Sequence, residues 1–172
     1  MLDARIRNAG LLGLLVVAFA LAACGGEDAP SDKLSAYVDG FETARVQLFD
    51  ETRDLPGIGA ESSLSDARRT FNEVAAAQQR RVTSMERLDP PATLVEFHDE
   101  LLEAMRELLD FSTRVRDRVA AMTEQAELAQ MAVDQELGIE NQAALQASFD
   151  AACSRLQREA GSRVELSCDS GE

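Results

Sequence analysis

The sequence predicts an all-α protein built as an antiparallel four-helix bundle, and three observations carry that expectation. Apolar positions recur at three- and four-residue spacing over four long segments, the period of a helix with one buried face. Helix formers dominate, whereas only 10 Gly and 4 Pro interrupt 172 residues and aromatics make up 5% with no Trp, a composition that disfavours strands. The segments are separated by short, punctuated connections, so consecutive helices should lie side by side in opposite directions.

Taken in order, residues 1–10 carry Arg5 and Arg7, and Leu11–Ala23 is an uninterrupted run of 13 apolar and small residues. That run is too short to span hydrocarbon as a helix, which takes about 20 residues, and it has the length of a signal-peptide core. Cys24-Gly25-Gly26-Glu27-Asp28-Ala29-Pro30-Ser31 reads as a tether without apolar anchors. A first helix is expected over about 32–54, with the stripe Leu34, Tyr37/Val38, Phe41, Ala44, Leu48 and Leu55, stopped by Pro56-Gly57. A second, over about 63–88, carries Leu64, Ala67, Phe71, Val74, Gln78, Arg81/Val82, Met85 and Leu88 in bundle-like alternation.

Asp89-Pro90-Pro91 ends that helix and presets the next, over about 91–123. Its stripe is Leu94, His98, Leu101, Met105, Leu108, Ser112, Val115, Val119 and Met122. The pattern could continue to Leu137, giving a helix of ~70 Å. The charges favour a shorter one: Glu96, Asp99, Glu100, Glu103 and Glu107 crowd the start, and Arg114, Arg116 and Arg118 sit near the end. This order complements a helix dipole ending near residue 123. A break at Met122–Glu124 and a less regular helical segment to Leu137 are therefore expected. The last helix, about 142–160, shows Leu145, Phe149, Ala152 and Leu156, with Gly161 as its C-terminal cap. Val164 and Leu166 then return extended.

The apolar run ends in Leu21-Ala22-Ala23-Cys24, which resembles the lipobox of bacterial lipoproteins. The resemblance implies diacylglycerol on the Cys24 sulfur, cleavage before Cys24 to remove residues 1–23, and acylation of the new amino group. Several acyl chains together anchor firmly where one is marginal. An ordinary signal peptide with a chance cysteine is the alternative. The stretch Pro90-Pro91-Ala92-Thr93-Leu94-Val95-Glu96-Phe97-His98 is also similar to a helix-opening feature of helical lipoproteins from high-GC bacteria, which brings no activity with it. The resemblance places the folded domain, residues 32–172, on the extracytoplasmic side of the bacterial cell envelope, on the cell membrane or the periplasmic face of an outer membrane.

In that oxidising setting Cys153 and Cys168 form an even pair. A disulfide between them would pin the extended C-terminal segment to the last helix, with a loop constraint of about 3 kcal/mol. Two free thiols or a shared metal are the alternatives, and a thiolate metal site would want more nearby ligands than this segment offers.

Charge removes one class of partner. Without Arg5, Arg7 and Asp3, 15 basic and 30 acidic residues remain, a net charge of −15. Nucleic-acid binding needs clustered cations, so no nucleic acid is expected, and the membrane contact must come from the lipid on Cys24.

The chemistry is narrow as well. A di-iron bundle site needs two Glu-x-x-His pairs, but His98 is the single histidine and Val95 stands three residues before it. His98 with Met105 and Met85 could hold a soft metal such as copper. The plainer reading has His98 hydrogen-bonded and partly exposed near the helix start, with the methionines filling core gaps. Glu96, Glu100 and Glu103 could collect a hard cation, but one straight helix face cannot wrap an ion. No Gly-x-Ser-x-Gly elbow or phosphate loop is present. The expectation is thus no catalytic residue and no cofactor. The chain should be a lipid-anchored, non-enzymatic adaptor or accessory binding protein for an envelope component, or alternatively a small-ligand or metal-cation carrier.

Overall fold

A computed structural model describes residues 32–59, 62–161, 166 and 168. The leader, Cys24, the tether and Val164 lie outside the described residues. The domain beginning at Asp32 is all-helical among the described residues: α1 (Asp32–Thr52), α2 (Leu64–Met85), α3 (Val95–Ala121), α4 (Ala126–Ala132) and α5 (Ile139–Ala160). None of these helices is long and apolar enough to cross a membrane.

The helix ends follow local chemistry. Ser63 Oγ accepts the Asp66 N–H at 3.1 Å, relieving one of the orphan donors at the start of α2. The second helix ends at Met85, with Leu88 N–H turning back to the Met85 carbonyl. The first ends at Thr52 rather than residue 54, because Leu55 N–H bonds the Thr52 carbonyl in a tighter turn. α3 starts at Val95 instead of residue 91. Pro91 to Leu94 form a separate turn, in which Leu94 N–H donates to the Pro91 carbonyl at 2.8 Å.

The expected break falls at Met122, whose backbone is extended (φ −65°, ψ 143°). Arg68 reaches across from α2 and donates to the Val119 carbonyl at 3.5 Å and the Met122 carbonyl at 2.5 Å, a cation placed where the helix dipole is negative. The segment after the break is α4. Its entry is capped by Glu127 Oε1, which accepts Thr123 N–H and Glu124 N–H at 2.9 and 3.0 Å. Those two bonds hold the Glu127 carboxyl below the usual carboxylate range.

α5 begins at Ile139, three residues earlier than the apolar stripe indicates, since Gly138 serves as its N-cap. A side chain at Gly138 would place its Cβ against the Asp134 carbonyl oxygen, so only glycine fits the return from α4. At the other end Gly161 takes φ 87°, a positive value that favours glycine, and donates its N–H to the Gln157 carbonyl as the helix stops.

Contacts between helices run in reversed numerical order. Arg68, Gln78 and Glu86 of α2 and its C-cap meet Met122, Ser112 and Arg106 of α3, so these neighbours are antiparallel. Glu100 meets Arg155 across α3 and α5 at 2.9 Å. Lys33 meets Asp89 and Glu51 meets Arg80 across α1 and α2. The third helix packs against both α2 and α5, and it touches α1 through Tyr37 and His98. This central place explains why Leu102, Ala104 and Phe111, which lie off the single stripe, are buried too.

The core has two parts. One gathers Phe41, Met85, Leu101, Met105, Phe149 and Leu156. The other gathers Ala67, Phe111, Val115, Val119, Met122 and Leu128 around the α3–α4 turn. A fully buried leucine such as Leu101 or Leu156 contributes about 1.5–3 kcal/mol of transfer free energy. Past Gly161, Leu166 is buried in the first part of the core and donates its N–H to Gln157 Oε1. The sulfurs of Cys153 and Cys168 lie 2.13 Å apart, with Cα atoms at 5.6 Å, which is bonding geometry.

Candidate functional site: a groove between the first and last helices

Four helices each give one face to a groove of about 380 Å³. Arg45, Leu48, Phe49 and Thr52 come from α1, and Val74, Gln78, Arg81 and Val82 from α2. Met105 and Leu108 of α3 and Gln142, Gln146 and Phe149 of α5 complete it. On each helix the lining residues recur at three- or four-residue steps, with Leu48/Phe49 and Arg81/Val82 as adjacent pairs, so single faces converge without any irregular backbone. The volume lies in the lower part of the range that holds small molecules.

Arg81 is the unusual member. It is half-buried, and its Cζ lies 4.8 Å from the centroid of the Phe149 ring, a cation–π contact that covers one guanidinium face. Among the described residues no carboxylate or carbonyl takes its N–H groups. Burial pushes its pKa down to about 10, and the charge of Arg45 acts in the same direction. Arg45 itself is held by Glu42 at 2.9 Å. A buried cation is normally paired, because desolvation without a partner costs several kcal/mol. The stacking on Phe149 offsets about 0.5–2 kcal/mol of that cost and leaves the donor edge open.

The amides around it are partly committed. Gln78 Oε1 accepts the Ser112 hydroxyl at 2.8 Å, which satisfies two polar residues that fall on the apolar stripes of α2 and α3. Gln146 Nε2 donates to Asp150 at 2.8 Å. Phe49, at the rim, is 49% exposed, and Val46 one turn before it is 45% exposed, so the apolar lining continues outward onto the surface of α1.

His98 lies elsewhere. It is 4% exposed, not partly exposed, because Tyr37 of α1 covers it. Its Nδ1 is 3.0 Å from the Tyr37 hydroxyl, with the rings edge-on at 75°. Burial holds the His98 pKa below its ordinary value, with Asp99 opposing and Arg106 adding to the shift, and burial likewise raises that of Tyr37. Both groups are therefore kept neutral, and in the tautomer with a bare Nδ1 the phenol donates.

Met105 and Met85 are buried in the same part of the core as Tyr37, whereas Glu96 and Glu103 face solvent and Glu100 is paired with Arg155. Glu96 and Glu103 are thus on the exposed side of α3, whereas His98 and Met105 are on its buried side. Among the described residues no group of three or more His, Cys, Asp or Glu converges as metal ligands would.

The groove was half-visible in the sequence. Arg81 and Gln78 stand on an apolar stripe where a cation and an amide are out of place, but the pattern of one helix does not say which neighbours face them. Compared with known proteins, the chain matches no family model, and no curated protein and no solved structure shows significant similarity to it.

Proposed function

We propose that this chain is a lipid-anchored protein of the bacterial envelope that works by binding rather than by catalysis. In this reading the anchor is lipid on Cys24 after removal of residues 1–23. The domain is an antiparallel four-helix bundle whose C-terminal segment is held by a Cys153–Cys168 disulfide. It serves as an adaptor or accessory subunit for another envelope component, kept near the membrane by a tether of a few residues.

The observation that carries the binding reading is the groove: an indentation with apolar walls, polar groups inside it, and a half-exposed aromatic at its rim. Aromatic side chains placed this way are the usual anchors of recognition surfaces. The Leu-Ala-Ala-Cys motif after a 13-residue apolar run supports the anchor, and the acidic surface supports a protein or small-molecule partner over nucleic acid. A specific observation, the unpaired Arg81, favours a second reading in which the groove carries a small ligand.

The test is quantitative co-purification of the tagged, lipidated protein from native membranes after brief crosslinking. It is compared with Cys24→Ser and with Phe49→Asp. One or two proteins enriched with the anchored chain, and lost with both variants, are the expected result. Membrane retention of Cys24→Ser would remove the anchor, and enrichment indifferent to Phe49→Asp would remove the groove from partner binding.

A further inference from the structure

We propose that the groove between α1 and α5 binds an amphipathic carboxylate, a small ion whose head is taken by Arg81 and whose apolar body lies against Phe149, Met105 and Leu48. This assignment rests on the binding reading above and names the ligand class.

The head group follows from the guanidinium. Arg81 presents its donors in a planar fork, one face resting on Phe149 at 4.8 Å, and no described residue accepts from it. A carboxylate is the planar acceptor that matches such a fork through two parallel hydrogen bonds. Arg45, 2.9 Å from Glu42, adds a second positive charge to the same lining, so an anion entering the groove relieves repulsion between two cations. The remainder of the domain limits that anion's charge. A net charge of −15 after residue 23 opposes a multiply charged ligand approaching from solvent, which favours a carboxylate over a phosphate monoester.

The body follows from the walls and the size. Leu48, Val82, Met105 and Phe149 supply much of the apolar part of the lining, which suits methylene or aryl groups. At about 30 Å³ per water, 380 Å³ corresponds to roughly a dozen non-hydrogen atoms. That is a medium-chain or aryl carboxylate rather than a folded partner. The mouth at Phe49, 49% exposed, gives such a ligand an apolar path inward.

The experiment is equilibrium dialysis of radiolabelled octanoate against the mature lipidated chain in phospholipid nanodiscs, with empty nanodiscs as the blank. Saturable uptake of one octanoate per chain is expected. Arg81→Gln should weaken it at least tenfold, Arg81→Lys should restore part of it, and 1-octanol should bind at least tenfold more weakly. No saturable uptake above the blank overturns the proposal, as does unchanged affinity in an Arg81→Gln chain of native helix content. Octyl phosphate binding more tightly than octanoate overturns the choice of head group. If Arg81→Gln does not fold, Leu48→Trp decides, since it fills the groove from α1. Loss of octanoate then supports the site and undiminished binding refutes it. Protein partners enriched by crosslinking while octanoate fails to bind would leave the adaptor reading standing and remove only the carboxylate.

Discussion

Replacing Tyr37 by phenylalanine removes one oxygen from the core and leaves the shape of the ring. Tyr37 is 2% and His98 4% exposed, and their hydrogen bond is 3.0 Å long, so the loss strands the His98 Nδ1 away from water. An orphaned buried polar atom costs about 1–3 kcal/mol. The domain from Asp32 to Glu172 has 141 residues, 172 less the first 31. Its unfolding entropy is about 0.3 kcal/mol per kelvin at ~2.1 cal/mol/K per residue. Tyr37→Phe should then lower Tm by about 3–10 °C, read by circular dichroism at 222 nm.

The double variant makes the reasoning sharper. His98→Leu alone orphans the phenol, whereas Tyr37→Phe with His98→Leu leaves no polar atom behind. Its destabilisation should fall short of the sum of the two single changes by at least about 1 kcal/mol. Additive losses, or a Tyr37→Phe melt within about 2 °C of the wild type, would refute the claim that this pair is a buried, mutually satisfying unit.

Three further outcomes follow from the fold. Leu101→Ala, at a position with no exposure on the helix that touches both neighbours, should cost about 2–5 kcal/mol in chemical denaturation. Replacing Cys153 and Cys168 by serine opens a loop set by a separation of 15 residues; the expected cost is about 3 kcal/mol, a Tm lower by about 10 °C, and insensitivity to reductant. For His98, the folded state holds the pKa below the unfolded value, so the unfolded chain binds the proton first. The stability from this site is complete above about pH 6.5 and is lost as the pH falls from there through the folded value, at no more than about 1.4 kcal/mol per pH unit. The difference between wild type and the Tyr37→Phe, His98→Leu chain in urea midpoints from pH 8 to 4.5 isolates the effect.

Much of the architecture was legible because helices write their buried faces at a fixed period. Of the nine stripe residues expected for the third helix, which include the caps Leu94 and Met122 of α3, Leu108 is partly buried and the other eight are buried. The end of α3 at Met122 could be placed because acidic residues at one end and arginines at the other mark the dipole. What was not legible depends on which helix lies opposite. His98 looked half-exposed from the pattern of α3 alone, and only the arrival of Tyr37 from α1 closes it off. Arg81 shares its stripe with Val82, and the stripe does not tell that both line a groove. Leu102, Ala104 and Phe111 are buried because α3 has a neighbour on more than one side, a property of topology that no single amphipathic stripe records. Cys24, the most specific signal in the sequence, lies outside the described residues.

The position of α3 has a mechanical consequence. The first helix is secured mainly through α2, and α5 mainly through α3, so the walls of the groove are attached to different halves of a stiff central pair. Opening of the mouth would leave the α2–α3 contact in place and is expected to cost less than unfolding of the whole domain. A bound molecule would act as a strut across that gap, tying together two elements that are secured mainly to different partners. Amide exchange would reveal it as slowed opening of α1 and α5 together, while α3, whose opening requires the whole domain to come apart, would exchange at an unaltered local rate.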